Sequence, residues 1–206
     1  KFLLSSSDIY INKSRFLYDD ENLNTPTVLD FHELNMHATD FSILGVDVNV
    51  FVKSLNFEDS RGVKLQDFQT HFSYTLSQMK FDQLELKSDK SFLIGQLQFD
   101  YNRVDFNEFS DKVKISGHFN KSTIDLEELN QLYNEFGSNQ SAIINTSFSG
   151  TLNNLVFDTF DLKTNRNTDI KGKVQFKNLF NSAPDNFEMD GEFQTISSSY
   201  TELKTL

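Results

Sequence analysis

The sequence predicts a mainly β fold, a meander of antiparallel strands with one apolar face and one inserted amphipathic helix. Alternation of apolar and polar residues with a period of two recurs along most of the 206 residues, which is typical of strands whose two faces differ. The connections between the alternating stretches are too short for parallel crossovers. Only TIDLEELNQLYNEFG, residues 123–137, has helical spacing.

A recurring five-residue unit carries glycine between two apolar neighbours of the same parity. Glycine weakens a strand interior because it has no side chain to pack, so its recurrence on the apolar face indicates a geometric need. We expect these glycines to permit bending of each strand toward that face. The unit glycines are Gly95, Gly117, Gly150, Gly172 and Gly191. The apolar face around them comprises Leu93, Leu97, Phe99, Ile115, Phe119, Phe148, Leu152, Ile170, Val174, Phe176, Met189 and Phe193.

The first part of the chain alternates less regularly than the rest. Residues 7–17 predict a strand, and DDENLNTP (19–26) has the composition of a turn. The uneven spacing from Phe31 to Ile43 predicts two short strands. Residues 46–52 then alternate cleanly, and the apolar parity reverses at Leu55, which indicates a bulge or a short turn near Lys53. The alternation also changes parity near residues 66 and 82, so the sequence does not predict the strand register at these two places.

The remaining strands are separated by compact turns. FEDSRG (57–62), KSDKS (87–91) and KTNRNTD (163–169) are turns by composition, as are residues 153–154, and residues 178–186 form an irregular hairpin connection. Residues 100–112 read as a polar loop that Phe106 and Phe109 pin to the sheet.

The helical insertion covers about residues 124–136. It lies in the widest interval between glycine units, from Gly117 to Gly150. Asp125 precedes Glu128 by three residues as in a capping box, and Gly137 has the position of a C-terminal cap.

Composition excludes several classes of function. A formal net charge of −11 disfavours a nucleic-acid partner, because phosphate binding requires clustered Lys and Arg. The absence of Cys excludes a disulfide scaffold and thiolate metal sites. No apolar run reaches the length of a membrane-spanning helix. The first residue is not Met and SSSYTELKTL at the end reads like the beginning of a helix, so we expect residues 1–206 to be one segment of a longer chain.

No motif predicts catalysis, a metal or a cofactor. HELNMH (32–37) resembles a zinc-protease motif, but its histidines are five residues apart, which in a strand places His32 and His37 on opposite faces. Residues 100–111 lack the ligand spacing of a calcium loop. His71 and His118 have polar parity and are expected at the surface. We therefore expect a protein that is not an enzyme.

The apolar face has two interpretations. In a closed β-sandwich or barrel, its Phe, Leu and Ile side chains would pack against one another as a core, each contributing about 1.5 to 3 kcal/mol on full burial. In an open, curved sheet the same face would remain uncovered by protein and would hold a lipid. Periodicity alone favours the core, whereas the glycines on this face favour strong curvature.

Several stretches resemble one family. Residues 73–101, LNQLYNEFG (129–137), SFSGTLNNL (147–155), IKGKVQFKNLFN and DNFEMDGEF resemble the TamB family of translocation and assembly module proteins, especially the long versions of Bacteroidetes-type bacteria. The resemblance covers most of residues 40–206.

This resemblance implies a fold, a location and a set of partners. The fold would be an open β-taco, a half-pipe with a continuous hydrophobic groove like those of AsmA-like and bridge-like lipid-transfer proteins. The full-length protein would be anchored in the inner membrane, cross the periplasm, carry phospholipid and contribute to outer-membrane protein assembly beside a BamA-related partner. The anchor and the partner-binding domain have no counterpart in this sequence. The apolar residues named above would then line a lipid groove, and the alternative is a structural or adhesive β-domain with a closed core.

Overall fold

The computed structural model describes residues 2–20, 27–129, 140–178 and 186–199. Eleven antiparallel strands form one sheet in which spatial order equals sequence order. The predicted antiparallel meander is confirmed, and within the described residues the two outermost strands do not pair with each other, so the sheet is open. The strands are β1 (Leu3–Asp20), β2 (Thr27–Leu44), β3 (Asp47–Asp59), β4 (Lys64–Tyr74), β5 (Gln78–Ser88), β6 (Phe92–Asp100), β7 (Lys114–Asp125), β8 (Ser141–Thr151), β9 (Asn154–Thr164), β10 (Asp169–Lys177) and β11 (Glu188–Ser197).

Short helices occupy two connections at opposite ends of the strands. Between β6 and β7 a 3-10 helix (Arg103–Glu108) runs into helix α1 (Phe109–Lys112), and we term this the upper end of the sheet. Helix α2 (Leu126–Leu129) follows β7 at the lower end, beside the turn that joins β5 and β6.

Bulges interrupt the strand pairing at all three places where the sequence parity slips. His37 and Ala38 of β2 pair with Ser54 and Val52, so Lys53 has no partner on that side. Similar register shifts leave out Gln66 of β4 and residues 82–83 of β5. The bulge near Lys53 is thus confirmed over the alternative of a turn, because β3 continues through it.

Buried hydroxyl groups accept or donate the hydrogen bonds that the bulges release from the backbone. Thr70 Oγ1 donates to the carbonyl oxygen of Asp82 at 2.9 Å, and Ile94 N donates to Ser122 Oγ at 3.0 Å. Both side chains are almost completely buried. An unpaired buried backbone group destabilises the fold, so these hydroxyls allow the strands to continue through the bulges without that loss of stability.

The prediction of two short strands from Phe31 to Ile43 is wrong. Strand β2 is continuous over 18 residues, and Glu33 and Asp40 adopt φ of 51° and 55° within it. Each of these bulges inserts one residue and resets the parity without ending the strand. The bulge at Glu33 also makes the prediction that His32 and His37 lie on opposite faces wrong. Both histidines lie on the polar face, where His32 pairs with Glu58 and His37 contacts Asp8.

The stretch predicted as a polar loop, residues 100–112, is largely helical. Asn102 N donates to Asp105 Oδ2 at 2.6 Å, which caps the 3-10 helix. The two predicted pins are confirmed, because the ring of Phe106 lies 4.7 Å from that of Tyr101 and the ring of Phe109 lies 6.4 Å from that of Phe99. Together they cover the upper end of the apolar face.

The predicted helix of residues 124–136 is described only in part. Residues 124–125 complete β7 and helix α2 follows, whereas residues 130–139, with the predicted cap Gly137, lie outside the described residues. One half of the predicted capping box is present, since Glu128 N donates to Asp125 Oδ1 at 2.9 Å. The Glu128 carboxylate bonds to serines instead of completing the box.

Candidate functional site

One side of the sheet carries a continuous apolar row across nine strands. Directly paired residues form this row from β3 to β11, and none of them is polar. We call this side the inner face. The row is Val50, Phe72, Phe81, Leu97, Gly117, Phe148, Phe157, Val174 and Gly191.

The neighbouring row, on the outer face, is polar at almost every position. It contains one apolar residue, Val156, within the same span of strands. The row is Asn49, Ser73, Lys80, Gln98, Ser116, Ser149, Val156, Gln175 and Asp190. The contrast between the two rows follows from the alternation of side chains along each strand.

The inner face is paved with aromatic rings that remain partly exposed. The centroids of Phe72 and Phe81 are 5.0 Å apart, and those of Phe148 and Phe157 are 5.3 Å apart. Of the 22 Phe in the sequence, 20 fall within the described residues, and none of these 20 is buried. A closed core would bury most of them, so the described chain has no second layer over this face.

Glycine leaves room for a ring of the adjacent strand. A Cβ atom added to Gly117 would lie 2.7 Å from Cε1 of Phe148. One added to Gly95 would meet the backbone oxygen of His118 and would lie 2.8 Å from Cδ1 of Phe119. In both cases the ring belongs to the directly paired residue of the next strand. Aromatic cover of a glycine across strands is a known device for pinning sheet register.

At the other unit glycines, the space of a side chain is taken by backbone atoms or, at Gly191, by a ring of the same strand. Gly172 would place a Cβ 2.9 Å from Cα of Phe193, and register shifts flank it on both of its pairings. Gly150 has φ of 135°, a conformation that side chains disfavour. At Gly191 the ring of Phe193 takes the space of a side chain.

A cavity of about 420 Å³ deepens the inner face at its lower end. Its walls come from five consecutive strands, β3 to β7, and from helix α2. Adjacent strands lie about 4.8 Å apart, so these five strands place the walls along roughly 19 Å of the direction that crosses the strands. The cavity is thus a local deepening of the inner face of the open, curved sheet. The lining residues are Leu55, Phe57, Val63, Lys64, Leu65, Phe68, Leu86, Ser88, Ser91, Leu93, Ile124 and Glu128.

The structure distributes the predicted lining residues over three environments. Ile115 and Val174 are buried, and Leu152 packs against the upper core cluster of Tyr101 and Val113. Met189 and Phe193, on the outermost strand, are 57% and 37% exposed. The others, half-buried along the inner face, are Leu93, Leu97, Phe99, Phe119, Phe148, Ile170 and Phe176.

Most of the residues that line the cavity were not predicted from the sequence. Leu93 is the only cavity-lining residue among the predicted groove residues. The parity reversal at Leu55 and Phe57 was the available signal, since it moves these side chains onto the inner face after the bulge. Ile124 was assigned to the helix, whereas it lies in β7 and contributes to the wall.

Ion pairs surround the lower end of the sheet. The hydrogen bond that Lys64 donates to Glu58 lowers the pKa of Glu58, and the one that Lys90 donates to Glu127 raises the pKa of Lys90. Arg61 contacts both carboxylate oxygens of Asp59, at 2.7 and 3.0 Å, and this contact lowers the pKa of Asp59.

The outer face holds the histidines. His71 is exposed and stacks on Phe51 with centroids 4.1 Å apart, and His118 is exposed and within 2.7 Å of Ser147 Oγ. Within the described part of the chain, no group of three or more His, Cys, Asp or Glu is placed to hold a metal ion. No helix among the described residues is long and apolar enough to cross a membrane.

A scan against protein-family models and searches of curated proteins and of solved structures gave no match. The geometry of the inner face is thus the basis for any functional argument.

Proposed function

We propose that this chain is one segment of a lipid-transport conduit that shields phospholipid acyl chains in its apolar groove between two membranes. The observation that carries the proposal is the apolar row of nine paired residues on the inner face of an open, curved sheet. A continuous exposed apolar surface of this kind marks a site at which an apolar partner binds.

The dimensions of the groove suit acyl chains. The groove axis runs across the strands, and eleven strands at about 4.8 Å spacing extend over roughly 48 Å. The hydrocarbon of one membrane leaflet is about 15 Å thick, half of a bilayer core. The groove is therefore longer than one acyl chain, so a lipid has room to move along it.

No covalent chemistry is needed for this function. Burying an acyl chain is favourable by about 0.8 kcal/mol per CH₂ group, and the rings over Gly95 and Gly117 offer apolar contacts along the path. The polar outer face and the net charge of −11 keep such a surface in water.

The resemblance to the TamB family extends this proposal. It implies a segment in the periplasm, within a protein anchored in the inner membrane, that would contribute to outer-membrane assembly with a BamA-related partner. These assignments are part of the proposal and depend on the motifs at residues 73–101 and 147–155.

A structural or adhesive β-domain is the alternative class, and it requires a filled core. Among the residues that the structure describes, the buried apolar side chains are few and mostly small, with Tyr101 the only aromatic one. This distribution favours the conduit over the adhesive domain.

Lipid analysis of the purified chain tests the proposal. Expressed in the bacterial envelope and analysed by mass spectrometry, the chain should carry phospholipid. Phe148→Asp places a charge in the inner row and should abolish lipid retention, whereas Ser149→Asp places the same charge in the outer row and should leave retention unchanged. Circular dichroism verifies that both variants fold. A lipid-free wild-type chain would refute the conduit.

A further inference from the structure

We infer that the cavity at the lower end is a discrete binding site for one zwitterionic lipid with an amine-bearing head group, whose ammonium binds Glu128. The inference rests on the proposed function and deepens it, because it assigns a head-group chemistry to one position of the groove. Lipids with an anionic head group would bind this position more weakly.

The apolar wall of the cavity fits one acyl chain. Its volume of about 420 Å³ lies within the range of roughly 300 to 1,000 Å³ in which small-molecule sites fall. Leu86 and Leu93 are directly paired at its floor, and Ile124 of β7 closes one side. We therefore assign this cavity as a preferred resting position along the path.

Glu128 lies at the polar edge of this cavity and is held there by two serines. Ser88 Oγ donates to Glu128 Oε2 at 2.6 Å, and Ser91 Oγ donates to the same oxygen. Ser91 Oγ in turn accepts a hydrogen bond from Asp125 N at 3.1 Å. The carboxylate is thus positioned by the β5–β6 turn and by the start of α2, with a defined orientation toward the cavity.

The lysines at this edge are already neutralised. Lys64 Nζ lies 2.8 Å from Glu58 Oε1, and Lys90 Nζ lies 2.8 Å from Glu127 Oε2. Within the described ranges Glu128 has no ion pair with Lys or Arg. Lys90 also interacts electrostatically with Glu128, but the hydrogen-bond donors to the Glu128 carboxylate among the described residues are neutral hydroxyls. A carboxylate held in this way beside an apolar cavity favours a cationic partner and disfavours a head group of net negative charge.

An ammonium group matches this arrangement in its hydrogen bonding. It has three donors and no acceptor, and a charge-assisted bond to a carboxylate is stronger than a neutral one. The serine hydroxyls occupy Oε2, so Oε1 is the oxygen that faces an incoming donor.

Head-group competition tests the inference. The wild-type chain is incubated with vesicles containing equal amounts of phosphatidylethanolamine and phosphatidylglycerol with identical acyl chains, and bound lipid is counted by native mass spectrometry. We expect about tenfold enrichment of phosphatidylethanolamine, the size of one charge-assisted contact. Glu128→Gln keeps an acceptor for the serines and should abolish the enrichment while total bound lipid stays constant.

Asp89→Asn is the matched control. It removes one negative charge from the same turn, and Asp89 does not line the cavity: it accepts a hydrogen bond from Gln66 and interacts electrostatically with Lys64 and Glu58. It should retain the enrichment. Equal binding of both lipids by the wild type, or equal loss in both variants, would overturn the inference and leave the conduit intact. Absence of any bound lipid would instead refute the conduit itself. If Glu128→Gln fails to fold, the ratio of the two lipids bound by the wild-type chain still tests the inference.

Discussion

Phenylalanine rings lying over glycines are the residue-scale feature that shapes the inner face. Each ring fills the space that a side chain of the paired glycine would take, as Phe148 does over Gly117 and Phe119 over Gly95. The glycine unit was predictable from the sequence as a strand motif on the apolar face. Its partner was not, because the ring comes from the next strand and the pairing depends on a register that bulges alter.

Gly117→Ala tests this packing at a position with ordinary backbone angles. Replacing glycine by alanine in a strand gains up to about 1 kcal/mol from the unfolded chain, but the added methyl group meets the Phe148 ring, and overpacking costs about 1 to 3 kcal/mol. We expect a net loss in the free energy of unfolding, measured by urea denaturation. In a Phe148→Ala background the same change should be neutral or stabilising. An equal loss in both backgrounds would contradict the packing role of the ring.

Asp59 gives a pH dependence whose sign follows from its partner. The Arg61 guanidinium and backbone N–H hold the pKa of Asp59 below its usual value. The Asp59 carboxylate therefore contributes to the free energy of unfolding at pH values above its unfolded pKa of about 3.9. This contribution is lost as the pH falls through the lower pKa of the folded state. Asp59→Asn should therefore lower stability at pH 6 by about 1 to 3 kcal/mol and much less at pH 2.5. Chemical denaturation across this range measures it, with exposed Asp158→Asn as control. A pH-independent difference between Asp59→Asn and wild type would contradict this assignment.

At the scale of elements, bulges rather than turns explain the irregular stretches of sequence. In β2 the bulges at Glu33 and Asp40 reset the alternation while the strand continues. Neither residue is a glycine or a proline, so no local composition marks them. Hairpin turns with strong composition, such as residues 87–91, were predictable. The cavity was not, because it appears only when five bulged strands curve together.

The helical segment at the upper end stabilises the sheet through Phe109. Its ring packs against Phe99 and the buried cluster of Tyr101 and Val113. Phe109→Ala should lower the free energy of unfolding by about 1 to 2 kcal/mol, since the ring is only partly buried. Amide hydrogen exchange at Val113, which bonds to the Phe109 carbonyl oxygen, should accelerate.

Val104→Ala is the control for this change, because Val104 is 72% exposed in the same helical segment. We expect it to alter stability by less than about 0.5 kcal/mol. A similar loss in both variants would mean that the segment acts through its backbone alone.

At the scale of the whole molecule, the described sheet combines a largely uncovered apolar face with two outer strands, each of which is paired along only one of its edges within the described residues. Strand β11 is exposed along its entire length, and β1 exposes Tyr10, Phe16 and Leu17. Unpaired edges of this kind promote association with other strands. The net charge of −11 opposes such association near neutral pH.

Loss of this charge should therefore cause self-association. The isoelectric point is near 4.7, and light scattering should detect monomers at pH 8 and growing assemblies as the pH approaches that value. Returning the sample to pH 8 should reverse the association. A chain that stays monomeric at its isoelectric point would show that the edges are protected by means other than charge.

The order of the strands determines how the length of the apolar path depends on the length of the chain. Because every strand pairs with its sequence neighbours, each hairpin adds about 10 Å to the path, two strand spacings, without altering its cross-section. Duplication or deletion of a hairpin would thus lengthen or shorten the path in fixed increments. For the conduit proposed above, the distance that can be bridged between two membranes would then be set by the number of hairpins.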